Sequence, residues 1–227
     1  MVYRYLNEQF ALQALQTNEL KVGRLGELND PADCLPTLSG APAQPNDEAS
    51  EAFEKRYFSE IYNDIGIICF SSVVSDPVIW SHYADAHRGM ALGFDFHESG
   101  AKLFGVTYDE RRVSLDYEET EKIRNENDAE TKYFASVITT GFTRKALSWE
   151  YEREYRLFMN LHHCRMKGPH YFIAGMRPDR VVLGLKSRIT EADVFRSINH
   201  PGLKNGVTRA KMDREKHSLV VDFNARQ

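Results

Sequence analysis

Two glutamates separated by one residue are the side chains in this sequence best suited to acid–base or electrostatic chemistry. Glu152 and Glu154 lie in the run Y-E-R-E-Y-R, within a stretch from Trp149 to Leu161 whose alternation and aromatic content predict a strand. A period of two would place Glu150 on the same strand face as this pair. Because two nearby carboxylates repel each other, the pKa of at least one should be raised. Such a group can accept a proton, orient a nucleophile or stabilise a developing cation.

A plainer interpretation of the same run needs no chemistry. The glutamates would lie on a solvated strand face, where Glu152 or Glu154 pairs with Arg153 or Arg156. Spacing alone leaves both interpretations open.

A second group of polar and aromatic residues lies in W-S-H-Y-A-D-A-H-R-G. On a helix, Trp80, Tyr83 and His87 would share one face, with His82 on an adjoining face and Arg88 at the end. Such a surface could stack a base or a nicotinamide ring and donate hydrogen bonds to a phosphate. The alternative is that Trp80 and Tyr83 are core residues and that His87 is favoured by the helix dipole.

Other familiar chemistries find little support in the chain. His162-His163-Cys164 and the spacing of His82 to His87 match no standard metal-ligand pattern. The sequence also has no G-x-S-x-G nucleophile elbow, phosphate loop or G-x-G-x-x-G motif. One metal-dependent alternative is left, a phosphodiesterase or nuclease with Asp30, Asp95 and Glu154 around a divalent ion.

The elements that position these residues are predicted from local patterns. Around the aromatic segment we expect a strand at Gly66–Ser71, a helix at Val78–Ala86 that begins at Asp76-Pro77, and a strand at Met90–Phe96. Val2–Leu6 reads as an early strand. Strands and helices alternate irregularly along the chain. The predicted class is therefore α+β, with a mixed, largely antiparallel sheet flanked by helices.

Two loops are notable. Asn29-Asp30-Pro31 predicts a turn in which side chains bond the nearby backbone. Residues 36–50, Pro36 to Ser50, are small, polar and proline-rich, which predicts a mobile loop without regular structure.

The overall composition is that of an ordinary globular protein. The chain has 227 residues, 42% hydrophobic residues and a net charge of −4, which indicates a single globular domain over residues 1–227 and no global attraction to nucleic acid or membranes. It has no apolar run near the about 20 residues that span a bilayer, and M-V-Y-R-Y-L-N-E lacks the basic start and long apolar segment typical of a signal peptide, so we expect none. Its three cysteines are widely spaced, so we expect a cytoplasmic location.

Several motifs resemble a bacterial family. They are Y-R-Y-L, L-N-D-P, I-C-F-S, W-S-H-Y-A-D-x-H-R-G-x-x-x-x-F-D and K-x-x-x-W-x-Y-E-x-E-Y-R. Together they cover nearly the whole chain and resemble the family named domain of unknown function 2971. That resemblance implies no particular chemistry.

The order of motifs is also similar to that of the ADP-ribosyltransferase superfamily. Its arginine class carries an early arginine, a serine-containing strand and a late E-x-E pair, which Arg4, Ser71 or Ser72, and Glu152 with Glu154 match here. This similarity implies that NAD is the substrate and that no metal is used. Glu154 would then stabilise the ribose cation and Glu152 would orient the acceptor.

The same resemblance implies roles for the other candidate residues. Arg4 would hold a phosphate or ribose of NAD, Ser71 would support the pocket, and Tyr83 or Trp80 would stack on nicotinamide. The transferase pattern does not explain the segment with His82, His87 and Arg88, which would either form an aromatic and basic wall of the substrate pocket or hold the fold.

We therefore expect an NAD-consuming enzyme, either an ADP-ribosyltransferase or an NAD glycohydrolase, that acts as a bacterial toxin or anti-phage effector. Its acceptor would be a protein or nucleic acid. The alternative is a non-catalytic module that recognises a nucleotide or protein through the Trp80–Arg88 face.

Overall fold

The central sheet is organised around one buried strand that ends in two hydroxyl residues. The computed structural model describes residues 1–42, 45–97, 100–125, 135–198, 203 and 206–223. Within them the strands are β1 (Val2–Leu6), β2 (Glu19–Arg24), β3 (Thr37–Ser39), β4 (Ile65–Ser71), β5 (Met90–Phe94), β6 (Phe104–Gly105), β7 (Thr107–Asp109), β8 (Ser114–Asp116), β9 (Arg144–Ala146), β10 (Glu154–Asn160), β11 (Arg165–Lys167), β12 (His170–Ala174), β13 (Arg180–Leu183), β14 (Val207–Arg209), β15 (Lys211–Met212) and β16 (Leu219–Val220).

Helices connect and cover these strands. They are α1 (Glu8–Thr17), α2 (Asp47–Tyr57), α3 (Ser59–Asp64), α4 (Pro77–Tyr83), α5 (Tyr117–Arg124) and α6 (Glu191–Ser197), with 3₁₀ turns at Leu25–Glu27, Leu147–Glu152 and Leu161–His163 and a π turn at Val137–Gly141. None of the helices in the described ranges is long and apolar enough to cross a membrane.

The main sheet has the strand order β11-β12-β2-β4-β1-β5-β13-β14; β10 joins it by pairing with β4, and β6 pairs with β10. Its pairings are antiparallel except for the parallel pair β13–β14. This arrangement confirms the predicted α+β class with a mixed, largely antiparallel sheet.

The two edges of strand β4 are paired in different ways. Along one edge β10 pairs with its whole length, from Glu154 opposite Ser71 to Asn160 opposite Ile65. The other edge is shared, because β1 pairs only at Ser71 while β2 pairs at Gly66 and Ile67. The sheet is therefore split between β1 and β2.

Apolar residues cover both faces of the sheet. On one face Ile68 and Leu92 pack with Leu15 of α1 and Val194 of α6. On the other face two clusters lie side by side, one around Trp80 of α4 and one around Phe58, Ile61 and Phe142. The alternation of β4 and β5 residues between these clusters follows the period of two expected for strands.

The predicted elements around the aromatic segment are largely confirmed. Strands β4 and β5 match the predicted strands, and Asp76 caps α4 by accepting hydrogen bonds from the amides of Val78 and Ile79. The helix, however, ends at Tyr83 rather than at Ala86. Asp85, Ala86 and His87 take left-handed conformations with φ of 47°, 49° and 70°.

Two other predictions were wrong in part. The strand predicted over Trp149–Leu161 begins only at Glu154, because Leu147–Glu152 forms a 3₁₀ turn that ends at Arg153 with φ of 43°. The segment 36–50 is not without structure. Its Thr37–Ser39 pairs in parallel with Ser114–Asp116, and Asn46 caps α2, which begins at Asp47.

The turn after α4 fits closely against its neighbours, and this gives a test of the fold. A Cβ atom on Gly89 would lie 2.0 Å from the Leu6 carbonyl oxygen, which is backbone and cannot move aside cheaply. We expect Gly89→Ala to lower the free energy of unfolding by about 2 kcal/mol or more. Denaturant titration measures this loss. Gly26→Ala is the control, since nothing lies within 4 Å of its Cβ position, and equal stability of both variants would contradict the prediction.

Candidate functional site

Three carboxylates and two cations form a buried cluster on the side of the sheet that carries Ser71. Glu154 begins β10, Arg156 follows on the same strand face, and Glu152 ends the preceding 3₁₀ turn. Lys145 comes from β9, and Asp33 comes from the loop after Asn29-Asp30-Pro31. All five residues are buried.

Lys145 lies at the point where the carboxylates converge. Its Nζ is 2.6 Å from Glu152 Oε2, 3.1 Å from Glu154 Oε2 and 3.6 Å from Asp33 Oδ2. Burial alone would lower the Lys145 pKa, but the three negative charges, Glu154 first, raise it above its ordinary value. Lys145 is therefore a cation at neutral pH.

Arg156 fixes the other side of the cluster. Its Nε and Nη2 donate to the two oxygens of Glu154, each at 2.9 Å, and Nη2 also donates to Asp33 Oδ2 at 2.7 Å. Burial alone would raise the Glu154 pKa, but the charge and hydrogen bonds of Arg156, together with Lys145, lower it to about 2. Glu154 is thus ionised.

Glu152 has a different environment from Glu154. Its Oε1 accepts a hydrogen bond from the Tyr83 hydroxyl at 2.5 Å, and Asn29 Nδ2 donates to the same hydroxyl at 3.0 Å. Burial, and next the bond to Glu152, raise the Tyr83 pKa well above its ordinary value, so the phenol stays a donor. Glu152 contacts one cation, whereas Glu154 contacts two.

The cluster opens into a cavity of about 570 Å³ at the split between β1 and β2. Arg4 spans the split, because its Nη1 donates to the Cys69 carbonyl between the two pairings of β4. The Ser71 hydroxyl donates to the Glu152 carbonyl at 2.6 Å, which ties β4 to the turn that carries Glu152. Ser72, the other candidate serine, donates to the Arg153 carbonyl.

The structure brings most of the predicted site residues together. The following line the cavity: Arg4, Ser71, His82, Tyr83, Glu152 and Glu154. His82 is exposed, and its Nδ1 lies 3.4 Å from the Tyr151 hydroxyl. The glutamates converge even though they are not neighbours on one strand face, because Arg153 turns the chain between them.

Three predicted residues lie elsewhere. Trp80 is fully buried, donates to the Val74 carbonyl and packs edge-on against Tyr5. The His87 ring lies 3.3 Å from the Ser81 hydroxyl, and Arg88 forms a two-pronged ion pair with Asp85. None of the three lines the cavity. Trp80 belongs to the core, while His87 and Arg88 follow the end of the helix at Tyr83, where the left-handed turn redirects the chain.

The carboxylates proposed for a divalent ion do not assemble either. Asp30 Oδ1 accepts from the Ala32 amide, which confirms the predicted turn, and Asp95 Oδ1 accepts from the His97 amide. Across the described ranges, no group of three or more His, Cys, Asp or Glu residues is arranged to hold a metal ion. Asp33, Glu152 and Glu154 converge on the Lys145 ammonium instead.

Sequence reasoning missed Lys145, Asp33 and Asn29 as parts of the site. Signals existed for all three, since Lys145 opens the motif K-x-x-x-W-x-Y-E-x-E-Y-R, and Asn29 and Asp33 lie in or next to L-N-D-P. The pairing of Glu154 with Arg156, foreseen in the plainer interpretation, is present but buried rather than solvated.

Comparison with known proteins gives one family match. Residues 79–157, about a third of the chain, match the model of a family described as protein of unknown function (DUF2971). The matched segment contains both long motifs, so it supports the resemblance to that family. No curated protein and no solved structure matches the chain, and the resemblance to ADP-ribosyltransferases gains no support from these comparisons.

Removal of Lys145 should strongly destabilise the fold. Lys145→Met would leave the three carboxylates short of a cation in a buried site, which typically costs about 3–5 kcal/mol. Urea titration at neutral pH measures this loss. Lys216→Met, at an exposed lysine, is the control. The double variant with Glu152→Gln should lose less than the sum of the two single variants, and additive losses would contradict the network.

The Glu154 pKa predicts how stability depends on pH. The folded-state pKa of about 2 lies below the ordinary value of 4.5. Ionised Glu154 therefore stabilises the protein fully above pH 4.5, and this contribution is lost as the pH falls from 4.5 toward 2. It should account for roughly 2 kcal/mol of the loss in unfolding free energy between pH 7 and pH 3. Denaturant titrations of Glu154→Gln should show a shallower pH dependence. The exposed-site variant Glu110→Gln should keep the original slope, and an unchanged slope in Glu154→Gln would overturn the assignment.

Proposed function

We propose that this protein breaks the bond between nicotinamide and ribose in NAD, and either transfers ADP-ribose to an acceptor or hydrolyses NAD. The observation that carries the proposal is that Arg4, Ser71 and the glutamate pair, which are far apart in sequence, line one cavity. Its volume of about 570 Å³ lies within the usual range for small-molecule sites.

The charge of the buried cluster supports this chemistry. Three formally anionic side chains, Asp33, Glu152 and Glu154, face two cations, Lys145 and Arg156, so the cluster carries a net formal charge of −1. A buried excess of negative charge favours a ligand that is, or becomes, positive. The nicotinamide ring of NAD is a cation, and bond cleavage transfers that positive charge to the ribose.

The contacts favour Glu152 as the carboxylate that faces the reacting ribose. Both oxygens of Glu154 are already engaged by Arg156, and Lys145 contacts it as well. Glu152 is held by Lys145 and by a neutral phenol, so more of its charge is available to a ligand. We therefore exchange the roles expected from the sequence, with Glu154 positioning Lys145 and Glu152 stabilising the cation.

The reaction balances with these groups. The bond from the ribose C1′ to the nicotinamide nitrogen breaks, and its electron pair stays with nicotinamide, which leaves as a neutral molecule. A water or acceptor nucleophile forms the new bond to C1′ and releases one proton. The Glu152 carboxylate lowers the energy of the intervening ribose cation, and Tyr83 and Lys145 hold that carboxylate in place.

The remaining cavity residues are assigned secondary roles. Tyr83 is the aromatic candidate for stacking on nicotinamide, since Trp80 is fully buried in the core. Ser71 supports the turn that carries Glu152, and His82 borders the opening. For the rival binding module, the buried position of Trp80 removes the central residue of the expected recognition face.

The biological setting belongs to the same proposal. We infer a bacterial toxin or anti-phage effector that depletes NAD or modifies a protein or nucleic acid, and this role rests on the resemblance to ADP-ribosyltransferases. Cys34, Cys69 and Cys164 are free thiols, which fits the reducing cytoplasm where NAD is abundant.

Replacement of Glu152 by Gln should abolish the activity. The amide keeps the size of the side chain but removes the charge, and we expect nicotinamide release from NAD to fall at least ~100-fold. The assay is chromatography of the products, with thermal melting to confirm folding. Glu150→Gln is the matched control, because Glu150 is two residues away and exposed, and it should keep normal activity.

Two results would overturn the proposed function. One is the absence of nicotinamide release by the unmodified protein, tested with cell-extract protein and RNA as acceptors. The other is full activity in a folded Glu152→Gln variant.

A further inference from the structure

The opening of the cavity has a chemical character different from that of its floor. We infer that an exposed rim formed by Phe10, Lys21 and Arg24 binds the adenosine diphosphate half of NAD. This inference rests on the proposed function for the nicotinamide half only. The three residues line the same cavity as Glu152 and Glu154.

Phe10 supplies an aromatic surface where the fold does not require one. It lies in the first turn of α1 and is 53% exposed, whereas Ala11, Ala14 and Leu15 of that helix are buried. An exposed aromatic ring beside a cavity is a suitable platform for a nucleobase, because every base can stack on it.

Lys21 and Arg24 supply positive charge on β2. Both are exposed, and within the described ranges neither forms an ion pair with a carboxylate. The Arg24 guanidinium lies 5.1 Å from the centre of the Tyr171 ring, which restricts its position without neutralising it. Cations that the protein leaves unneutralised beside a cavity are suited to phosphate groups.

Gly23 lies between Lys21 and Arg24 in the lining of the cavity, and its lack of a side chain leaves space there. A Cβ atom there would meet only ordinary contacts, 3.5 Å from the Ile67 carbonyl oxygen and 3.8 Å from its Cγ2. Packing therefore does not demand glycine at this position. A glycine inside a strand often marks close approach of a ligand, and Gly23 lines the cavity.

The two ends of the cavity match the two ends of one ligand. The buried floor, formed by the cluster around Lys145, carries a net formal charge of −1. The exposed rim carries two cations, Lys21 and Arg24, and one carboxylate, Glu27, while the lining carboxylate of Asp85 is paired with Arg88. NAD has a cationic nicotinamide at one end and, after the first ribose, a doubly negative pyrophosphate that leads to adenine. This complementarity favours a dinucleotide over nicotinamide riboside, which lacks the pyrophosphate.

Binding of ADP tests the rim without requiring catalysis. Calorimetric titration of the full chain with ADP should give an affinity that falls about 10-fold or more in Phe10→Ala. Phe195→Ala is the matched control, since Phe195 is 52% exposed but does not line the cavity. The double variant Lys21→Gln/Arg24→Gln should lose at least ~10-fold in affinity and most of its salt dependence, unlike the exposed pair Arg214→Gln/Lys216→Gln.

Gly23→Leu gives a second test that does not remove any charge. The added side chain should fill the wall between Lys21 and Arg24 and weaken ADP binding about 10-fold, while Gly23→Ala should have a small effect. Thermal melting of both variants shows whether the fold is kept.

The outcomes separate this inference from the proposed function. Failure of ADP to bind, or equal ADP affinity in Phe10→Ala and Phe195→Ala, overturns the rim site even if NAD is cleaved. Pyrophosphate binding as tight as that of ADP overturns the stacking role of Phe10. ADP binding that depends on the rim, without any nicotinamide release, supports the rim and overturns the proposed function.

Discussion

Five charged side chains are buried together, and their need for oppositely charged partners constrains the segments that carry them. An isolated charge in a protein interior is very costly, so Asp33, Glu152 and Glu154 require Lys145 and Arg156 within ion-pair distance. These groups come from several segments. Asp33 lies in a loop and Lys145 on β9, while Glu152, Glu154 and Arg156 lie on β10 and the turn before it. The cluster therefore fixes how β9, β10 and the Asp33 loop meet, and a shift of any one segment would leave a charge unpaired.

The split in the central sheet lies next to the buried cluster and opens it to the cavity. β1 and β2 share one edge of β4, and the Arg4 side chain satisfies the Cys69 carbonyl that lies between them. A continuous strand at this edge would close the cavity and bury the carboxylates without access. Pairing on the opposite edge is complete, from Glu154 opposite Ser71 to Asn160 opposite Ile65.

The division of charge between floor and rim gives the cavity a direction. The buried cluster carries a net formal charge of −1 in a region of low dielectric, which strengthens its field. The exposed rim carries Lys21 and Arg24 together with the carboxylate of Glu27. The left-handed turn at Asp85–His87 contributes to this geometry in a different way. It follows the end of α4 at Tyr83, whose hydroxyl bonds Glu152, while Trp80, one turn earlier in the helix, is buried in the core.

From the sequence alone, the fold class, the strands β4 and β5 and the capped start of α4 were predicted correctly, and six of the nine predicted site residues line the cavity. These features depend on local patterns of apolar, capping and turn residues, which a single chain displays directly. The places of Lys145, Asp33 and Asn29 in the site became visible only in the folded structure, which also shows that Tyr83 lines the cavity whereas Trp80 is buried in the core. A lysine can pair with any nearby carboxylate, so its partners are set by contacts between distant segments. The Glu152–Glu154 pair was recognised for a strand-face spacing that it does not have. The turn at Arg153 and the convergence on Lys145 bring these carboxylates together, because buried charges of one sign must share a cation.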